Sequence, residues 1–226
     1  MDSPLVVYTK LSPHNSGERT HTVDRITPHC VVGQITAEGL GNWFSQPSTQ
    51  ASSNYGIDTD GRVGLYVPES CRSWCSSSYN NDQRAITIEC ASDTTSPYRM
   101  NDCVYNTLVE LCTDICTRYS KKRLLWIDNR ETALAYEPDS TTMLLTVHRW
   151  FAPKECPGEW LYSRLGALAE TVTSRLTPAP AQAEQSTLYR VQVGAFRVRG
   201  NAEKMLERIK AAGFTDAFIT KIIDNQ

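Results

Sequence analysis

Apolar residues between Asn101 and Ser120 fall at positions 104, 108, 111, 112, 115, 116 and 119. That spacing of three and four predicts a helix with one buried face. Elsewhere the rhythm shortens. LVVYT (5–9), AITIEC (85–90) and TMLLTVH (142–148) read as strands, the last a buried one. In NYGIDTDGRVGLYVPE two β-prone runs meet at Asp60-Gly61, a hairpin signal. TAEGLGNWF (36–44) predicts a short helix capped by Thr36, and GEWLYSRLGALAETVTSRL a longer one with Leu161, Leu165, Leu168 and Val172 along one face. Strands interleaved with two long helices imply an α/β domain, a mixed central β-sheet flanked by helices.

The periodicity stops in TSRLTPAPAQAEQST (173–187), where Pro178 and Pro180 stand among Ala, Gln and Ser. Such a composition describes an extended, solvated linker. We therefore expect a large domain over residues 1–176, a linker over 177–187 and a small unit over 188–226. The small unit reads strand, helix, strand (βαβ), with Asn201 as the helix cap, Gly213 as its stop, and Met205, Leu206 and Ile209 as its apolar face. One unit of this size is marginal alone.

Composition narrows the function classes. A formal charge of −2 over 226 residues gives no electrostatic footprint for nucleic acid or an anionic membrane, so neither is expected as a partner. No apolar run approaches the roughly 20 residues that span a bilayer. MDSPLVVYTK lacks the basic and apolar segments of a secretory signal, which implies synthesis in the cytoplasm. The eight cysteines then read as free thiols that behave as small apolar residues. For Cys71 and Cys75, in the loop-like CRSWC, a disulfide or a second metal remains an alternative.

The densest chemistry lies in HRWFAPKECPGEWL (148–161). His148 ends a buried strand, and Pro153 and Pro157 restrain the loop that carries Cys156, so imidazole and sulfur can converge on one ion. ITPHCVVGQ supplies a third donor, His29. A His/His/Cys set leaves one tetrahedral position open, the arrangement of a catalytic zinc, one Zn2+ per chain. A core histidine and a plain strand-to-helix connection are the competing readings. His14 and His21, in the polar HNSGERTHTVD, read as solvated loop residues. Glu89 is an acid on an otherwise apolar strand, an expensive place for a carboxylate without a purpose; the alternative is an outward strand face. Lys154 lies two residues from Cys156 and can meet an oxyanion there; the alternative is a solvated lysine.

Together these residues resemble the type-2 zinc N-acetylmuramoyl-L-alanine amidases, related to peptidoglycan recognition proteins, over roughly residues 5 to 176. The resemblance rests on His29, the YGIDTDGRVGLYVPE hairpin, the glutamate of ITIEC and HRWFAPKECPGEWL. The last is the most specific, since the family pattern is a histidine, then Lys-x-Cys-Pro or Lys-x-Asp-Pro, then a helix. It implies hydrolysis of the amide joining the lactyl group of N-acetylmuramic acid to L-alanine in bacterial peptidoglycan. His29, His148 and Cys156 would hold the zinc, Glu89 would act as general base, and Lys154 would face the oxyanion. Asn81, Trp74 and Trp150 are candidates for substrate contact, with core packing as the alternative for the tryptophans. Two departures stand out. Many members have Tyr-His or Ala-His where this chain has Ser53-Asn54, so a catalytic tyrosine is not matched and Tyr55 occupies the next inward position. The stretch HNSGERTHTVDRITPHC also lacks the usual apolar run before its histidine.

In the tail, YRVQVGAF followed by NAEKMLERIKAAGF resembles the first half of a SPOR domain, a module that binds peptidoglycan glycan strands. That implies wall binding, and a homodimer in which two chains pair residues 188–226 around a two-fold axis. The resulting expectation is a phage or prophage endolysin, made in the host cytoplasm and acting on the cell wall after release. A cytosolic amidase that recycles wall fragments, and a non-catalytic peptidoglycan receptor, are the competing readings.

Overall fold

All six residues of strand β3, Arg25–Cys30, are buried, because β3 runs through the interior of a seven-stranded sheet. The computed structural model describes residues 2–176 and 191–221. The strands are β1 (Val6–Thr9), β2 (Asn15–Glu18), β3, β4 (Tyr55–Ile57), β5 (Val63–Leu65), β6 (Cys71–Ser73), β7 (Ala85–Cys90), β8 (Arg123–Leu125) and β9 (Thr142–Leu145). The main sheet runs β1-β5-β4-β7-β3-β9-β8. Every neighbouring pair in it is parallel except β4 and β5, the expected hairpin. The sheet is thus mixed, as the alternation of strand and helix signals implies. Strands β2 and β6 form a separate antiparallel pair.

The helices are α1 (Ala37–Phe44), α2 (Tyr79–Arg84), α3 (Asp102–Arg118), α4 (Arg130–Ala135), α5 (Glu159–Tyr162), α6 (Leu165–Leu176) and α7 (Arg199–Ala211). Helix α3 starts where Asn101 Oδ1 accepts from Val104 N–H. It buries Val104, Leu108, Leu111, Cys112, Ile115 and Cys116, the stripe read from periodicity. Its apolar face belongs to one core with Ile86, Ile88 and Cys90 of β7 and with Leu165, Leu168 and Val172 of α6. Each fully buried Leu or Ile there contributes about 1.5–3 kcal/mol relative to exposure. Thr173 of α6 also covers the sheet edge: its Oγ1 accepts from Leu124 N–H and donates to Leu124 C=O, both at 3.0 Å. That hydroxyl takes the place of a missing strand neighbour.

Three expectations change. GEWLYSRLGALAETVTSRL forms two helices rather than one, because Arg164 Nη1 donates to Trp160 C=O while Arg164 N–H turns to Leu161 C=O. The side chain thus takes the acceptor that a continuous helix would use. TMLLTVH leaves the sheet at Leu145, and His148 opens a short 3-10 helix, His148–Trp150. In the tail, α7 begins at Arg199 with Val198 at its cap and no side-chain capping bond, so Asn201 lies inside the first turn. Gly213, at φ +102°, follows the helix as its stop.

Residues 191–198 and 214–221 carry no strand, since an isolated strand without a hydrogen-bonded neighbour has nothing to pair with. Met205, Leu206 and Ile209 are half-buried, and α7 buries no residue fully. The expected linker, residues 177–187, and the start of the first tail strand lie outside the described residues. No helix among the described residues is long and apolar enough to cross a membrane.

Candidate active site

The site arises where β3 and β9 part company. Their ladder covers only Arg25↔Leu144 and Ile26↔Leu145, while β3 stays paired with β7 through His29↔Glu89 and Cys30↔Cys90. Pro28 has no N–H to donate, and it lies beyond the last residue paired with β9. A Thr27 Oγ1–Thr146 Oγ1 hydrogen bond of 2.7 Å marks the end of the contact. Past it, at the carboxyl end of the parallel strands, β3 and β9 diverge, at the usual location of ligands in such sheets.

His29 reaches this end of the sheet from β3 and His148 from the end of the β9 segment, with ring centroids 5.1 Å apart and nearly edge to face. Cys156 returns from the following loop. Arg149 N–H donates to Cys156 C=O and closes that loop. Gly158 then passes Pro97 and Tyr98 so closely that a Cβ would lie 2.9 Å from Pro97 O; its φ is +83°. Cys156 Sγ reaches 3.2 Å from His29 Nδ1. One ligand atom from each of His29, His148 and Cys156 lies within 4.8 Å of the others.

This donor set fits zinc, which favours imidazole nitrogen and cysteine sulfur. Burial holds His29 well below the usual histidine range, with the charge of His148 adding to it. Burial, and then the charge of Lys154, lowers His148 as well. Both imidazoles are therefore neutral near pH 7, with lone pairs available. Burial, and then the neighbouring Cys30 thiol, pushes Cys156 upward; a dication beside the sulfur reverses that and favours the thiolate.

Glu89 projects from the register position beside His29. Burial raises its carboxyl to about 7, partly offset by a hydrogen bond from Cys75. Cys75 Sγ donates to Glu89 Oε1 at 3.7 Å. Glu89 Oε2 and His29 Nε2 are buried without a hydrogen-bond partner among the described residues, a cost that marks sites of chemistry. His29, Cys75 and Glu89 form a second, overlapping donor group within 4.8 Å.

Cys75 was not legible in the sequence as a neighbour of this centre, nor was Ser77, whose Oγ lies 2.9 Å from His148 Nε2. Both belong to a loop held by buried Asp82, which accepts from Cys75 N–H, Ser76 N–H and Ser76 Oγ. The only local sequence signal is Ser78, the N-cap of α2, whose Oγ accepts from Asn81 N–H.

The other expected residues are placed differently. Lys154 is exposed on the Cys156 loop, near enough for its charge to reach His148. Asn81 is 1% exposed; its amide donates to Thr27 and Ser76 and accepts from Arg25 and Thr146. It is an internal junction. Trp150 is likewise a core residue, 5% exposed and stacked on Trp126 at 5.1 Å. Trp74 is half-buried; its Nε1 donates to Ser16 Oγ, and its ring lies against His14. His14 is buried rather than solvated, with Nε2 2.8 Å from Gln46 O. Cysteines 71 and 75 are free thiols.

At the Ser53-Asn54 departure, Asn54 Nδ2 donates to Val67 and Pro68 C=O, and its Oδ1 accepts from Thr87 N–H. The Tyr55 hydroxyl donates to Glu69 Oε1 at 2.6 Å and accepts from Ser3 N–H. Both side chains serve the framework.

Solved structures of similar shape include PlyL (TM-score 0.52, 19% identity, 74% of this chain and 96% of that one). They also include AmpD (0.50, 22%, 72% and 93%) and the Staphylococcus aureus hydrolase AmiA in complex with its ligand (0.51, 13%, 78% and 85%). At such identities the likeness shows the fold. No curated protein sequence matches the chain. A family model for the SPOR domain matches residues 159–225. The model for N-acetylmuramoyl-L-alanine amidase matches residues 19–159, more than half of the chain and every strand of the described residues except β1 and β2. On that match, the chain belongs to the N-acetylmuramoyl-L-alanine amidase family.

Proposed function

We propose that this chain hydrolyses the amide between N-acetylmuramic acid and L-alanine in bacterial peptidoglycan, with one Zn2+ held by His29, His148 and Cys156. The observation that carries the reading is the convergence of two neutral imidazoles and a thiol within 4.8 Å, with a buried carboxyl in register beside them. When bound, zinc polarises the scissile carbonyl and lowers the pKa of a coordinated water to about 7. Glu89, with a pKa near 7, is suited to accept a proton from the attacking water and pass it to the leaving amine. Lys154, exposed on the same loop two residues before Cys156, is assigned to the developing oxyanion. Trp74 is the one expected substrate contact that retains exposed surface.

The SPOR match supports a wall-binding tail, and with it an endolysin-like role in which the enzyme acts on the intact cell wall. Pairing of two tails through residues 188–226 rests on the apolar side chains they leave exposed, Val191, Phe214 and Phe218 among them; sedimentation as a monomer removes it.

Digestion of purified wall tests the reading. Release of L-alanine amino groups without new reducing sugar ends, abolished by a chelator and restored by zinc, is the expected result. New reducing ends, or activity indifferent to chelation, overturn it.

A further inference from the structure

Five non-glycine residues among those described have left-handed backbone: Val32, Gln50, Ser77, Tyr98 and Ser120. Three of them are close to the candidate ligands in sequence or through a hydrogen bond. Val32 lies three residues beyond His29, the Tyr98 hydroxyl bonds Glu155 of the Cys156 loop, and Ser77 bonds His148. Left-handed backbone in an L-residue is strained, and strain of this kind persists where function or packing requires it.

Ser77 is the informative case. At φ +59° glycine is the low-cost residue. Packing gives no reason for serine, since residue 77 is exposed. The backbone around it is held independently of its side chain, by the three groups that donate to Asp82 from Cys75 and Ser76. What the side chain adds is one oxygen, 2.9 Å from His148 Nε2.

We infer that Ser77 is a positioning residue for His148: its Oγ accepts the Nε2–H of the imidazole and thereby fixes the tautomer that leaves Nδ1 to coordinate. This rests on the metal reading above and concerns only how the chain prepares its own ligand. A histidine that coordinates through one nitrogen needs a partner for the other. Such a partner fixes the ring orientation and raises the basicity of the coordinating nitrogen. Asp82 acts at one remove, by holding the loop on which Ser77 stands.

The test is zinc affinity of the full chain, read by competition with a chromophoric chelator, for Ser77→Gly and Ser77→Ala. Glycine relieves the backbone strain and removes only the hydroxyl. The zinc-free thermal midpoint of Ser77→Gly is therefore expected to equal or exceed that of the unsubstituted chain, while zinc affinity falls about 10- to 100-fold. Ser77→Ala is expected to lose zinc affinity to the same extent. Zinc binding by Ser77→Gly within twofold of the unsubstituted chain overturns the inference. So does a loss of affinity accompanied by a lowered zinc-free midpoint, which would make the hydroxyl a general support of the fold. If the unsubstituted chain itself takes up no zinc, the metal reading falls too; if it binds zinc and Ser77→Gly binds it equally, only the role of Ser77 falls.

Discussion

Cys156 Sγ lies 3.2 Å from His29 Nδ1, although the two residues are 127 apart in sequence. The sheet brings His29 to the end of β3, and the loop closed between Arg149 and Cys156 brings the sulfur back to it. A donor placed this way is replaceable only by one of similar reach and charge. Cys156→Asp, the other residue of the resemblance's Lys-x-Cys/Asp-Pro pattern, is expected to retain zinc and measurable amidase activity. Cys156→Ala is expected to weaken zinc by more than about 100-fold, beyond what losing an outer partner of a ligand does. Equal zinc content in the alanine and aspartate variants after dialysis would remove Cys156 from the ligand set.

Glu89 carries a pH signature whose sign follows from its burial. Its carboxyl is raised from 4.5 to about 7 in the fold, so the folded state favours the protonated form. In the zinc-free chain that stabilisation is fully present below about pH 4.5 and is lost as pH rises through about 7. The thermal midpoint should therefore fall over this range, and Glu89→Gln should flatten the fall. Activity moves the other way, because a base must be ionised. Turnover is expected to drop as pH falls below the Glu89 pKa, which a nearby dication pulls under 7. Glu89→Gln should retain zinc and lose roughly 10²- to 10⁴-fold in turnover. Retained turnover would show that Glu89 is not the base.

Much of the architecture was legible because periodicity survives folding wherever one face is buried. The α3 stripe and the strand AITIEC are of this kind, and His29, His148 and Cys156 were legible through rare residue types with metal-ligand chemistry. What escaped depends on distant partners. Strands β2 and β6 are too short to show a rhythm. Asn81 is polar and helical, and only the fold shows Thr27, Ser76, Arg25 and Thr146 arranged around its amide. Cys75 and Ser77 reach Glu89 and His148 because Asp82 holds their loop, an arrangement without local periodicity. Asn201 carries the residue type of a cap, but α7 starts two residues earlier.

Tyr55 answers the question raised by the missing family tyrosine. Its ring is fully buried, and its hydroxyl joins Glu69, a carboxylate 1% exposed that also accepts from Arg118 Nη1 and Nη2 at 2.7 and 2.6 Å. Removing the hydroxyl leaves Glu69 still paired with the guanidinium. Tyr55→Phe is thus expected to lose about 1 kcal/mol of stability and to keep turnover per folded molecule. Arg118→Met leaves a buried carboxylate without its cation and should lose about 3–5 kcal/mol, measured by denaturant unfolding. A Tyr55→Phe variant that folds normally but loses turnover would return this tyrosine to the chemistry.

The two family matches meet at residue 159, yet packing places the working boundary later. Leu161 of α5 and Leu165, Leu168 and Val172 of α6 are buried in the same core as α3, and Thr173 covers the edge strand at Leu124. Cutting at 158 removes all of these contacts, each large leucine alone being worth about 2–5 kcal/mol when truncated to alanine. That is enough to exceed the roughly 5–15 kcal/mol stability of a domain. Cutting after Leu176 leaves the core intact. A chain ending at 158 is therefore expected to be insoluble or unfolded. One ending at 176 should fold, cleave soluble muropeptides at the rate of the full chain, and co-sediment less with purified wall. A soluble, cooperatively melting 1–158 fragment would show that α5 and α6 belong with the tail.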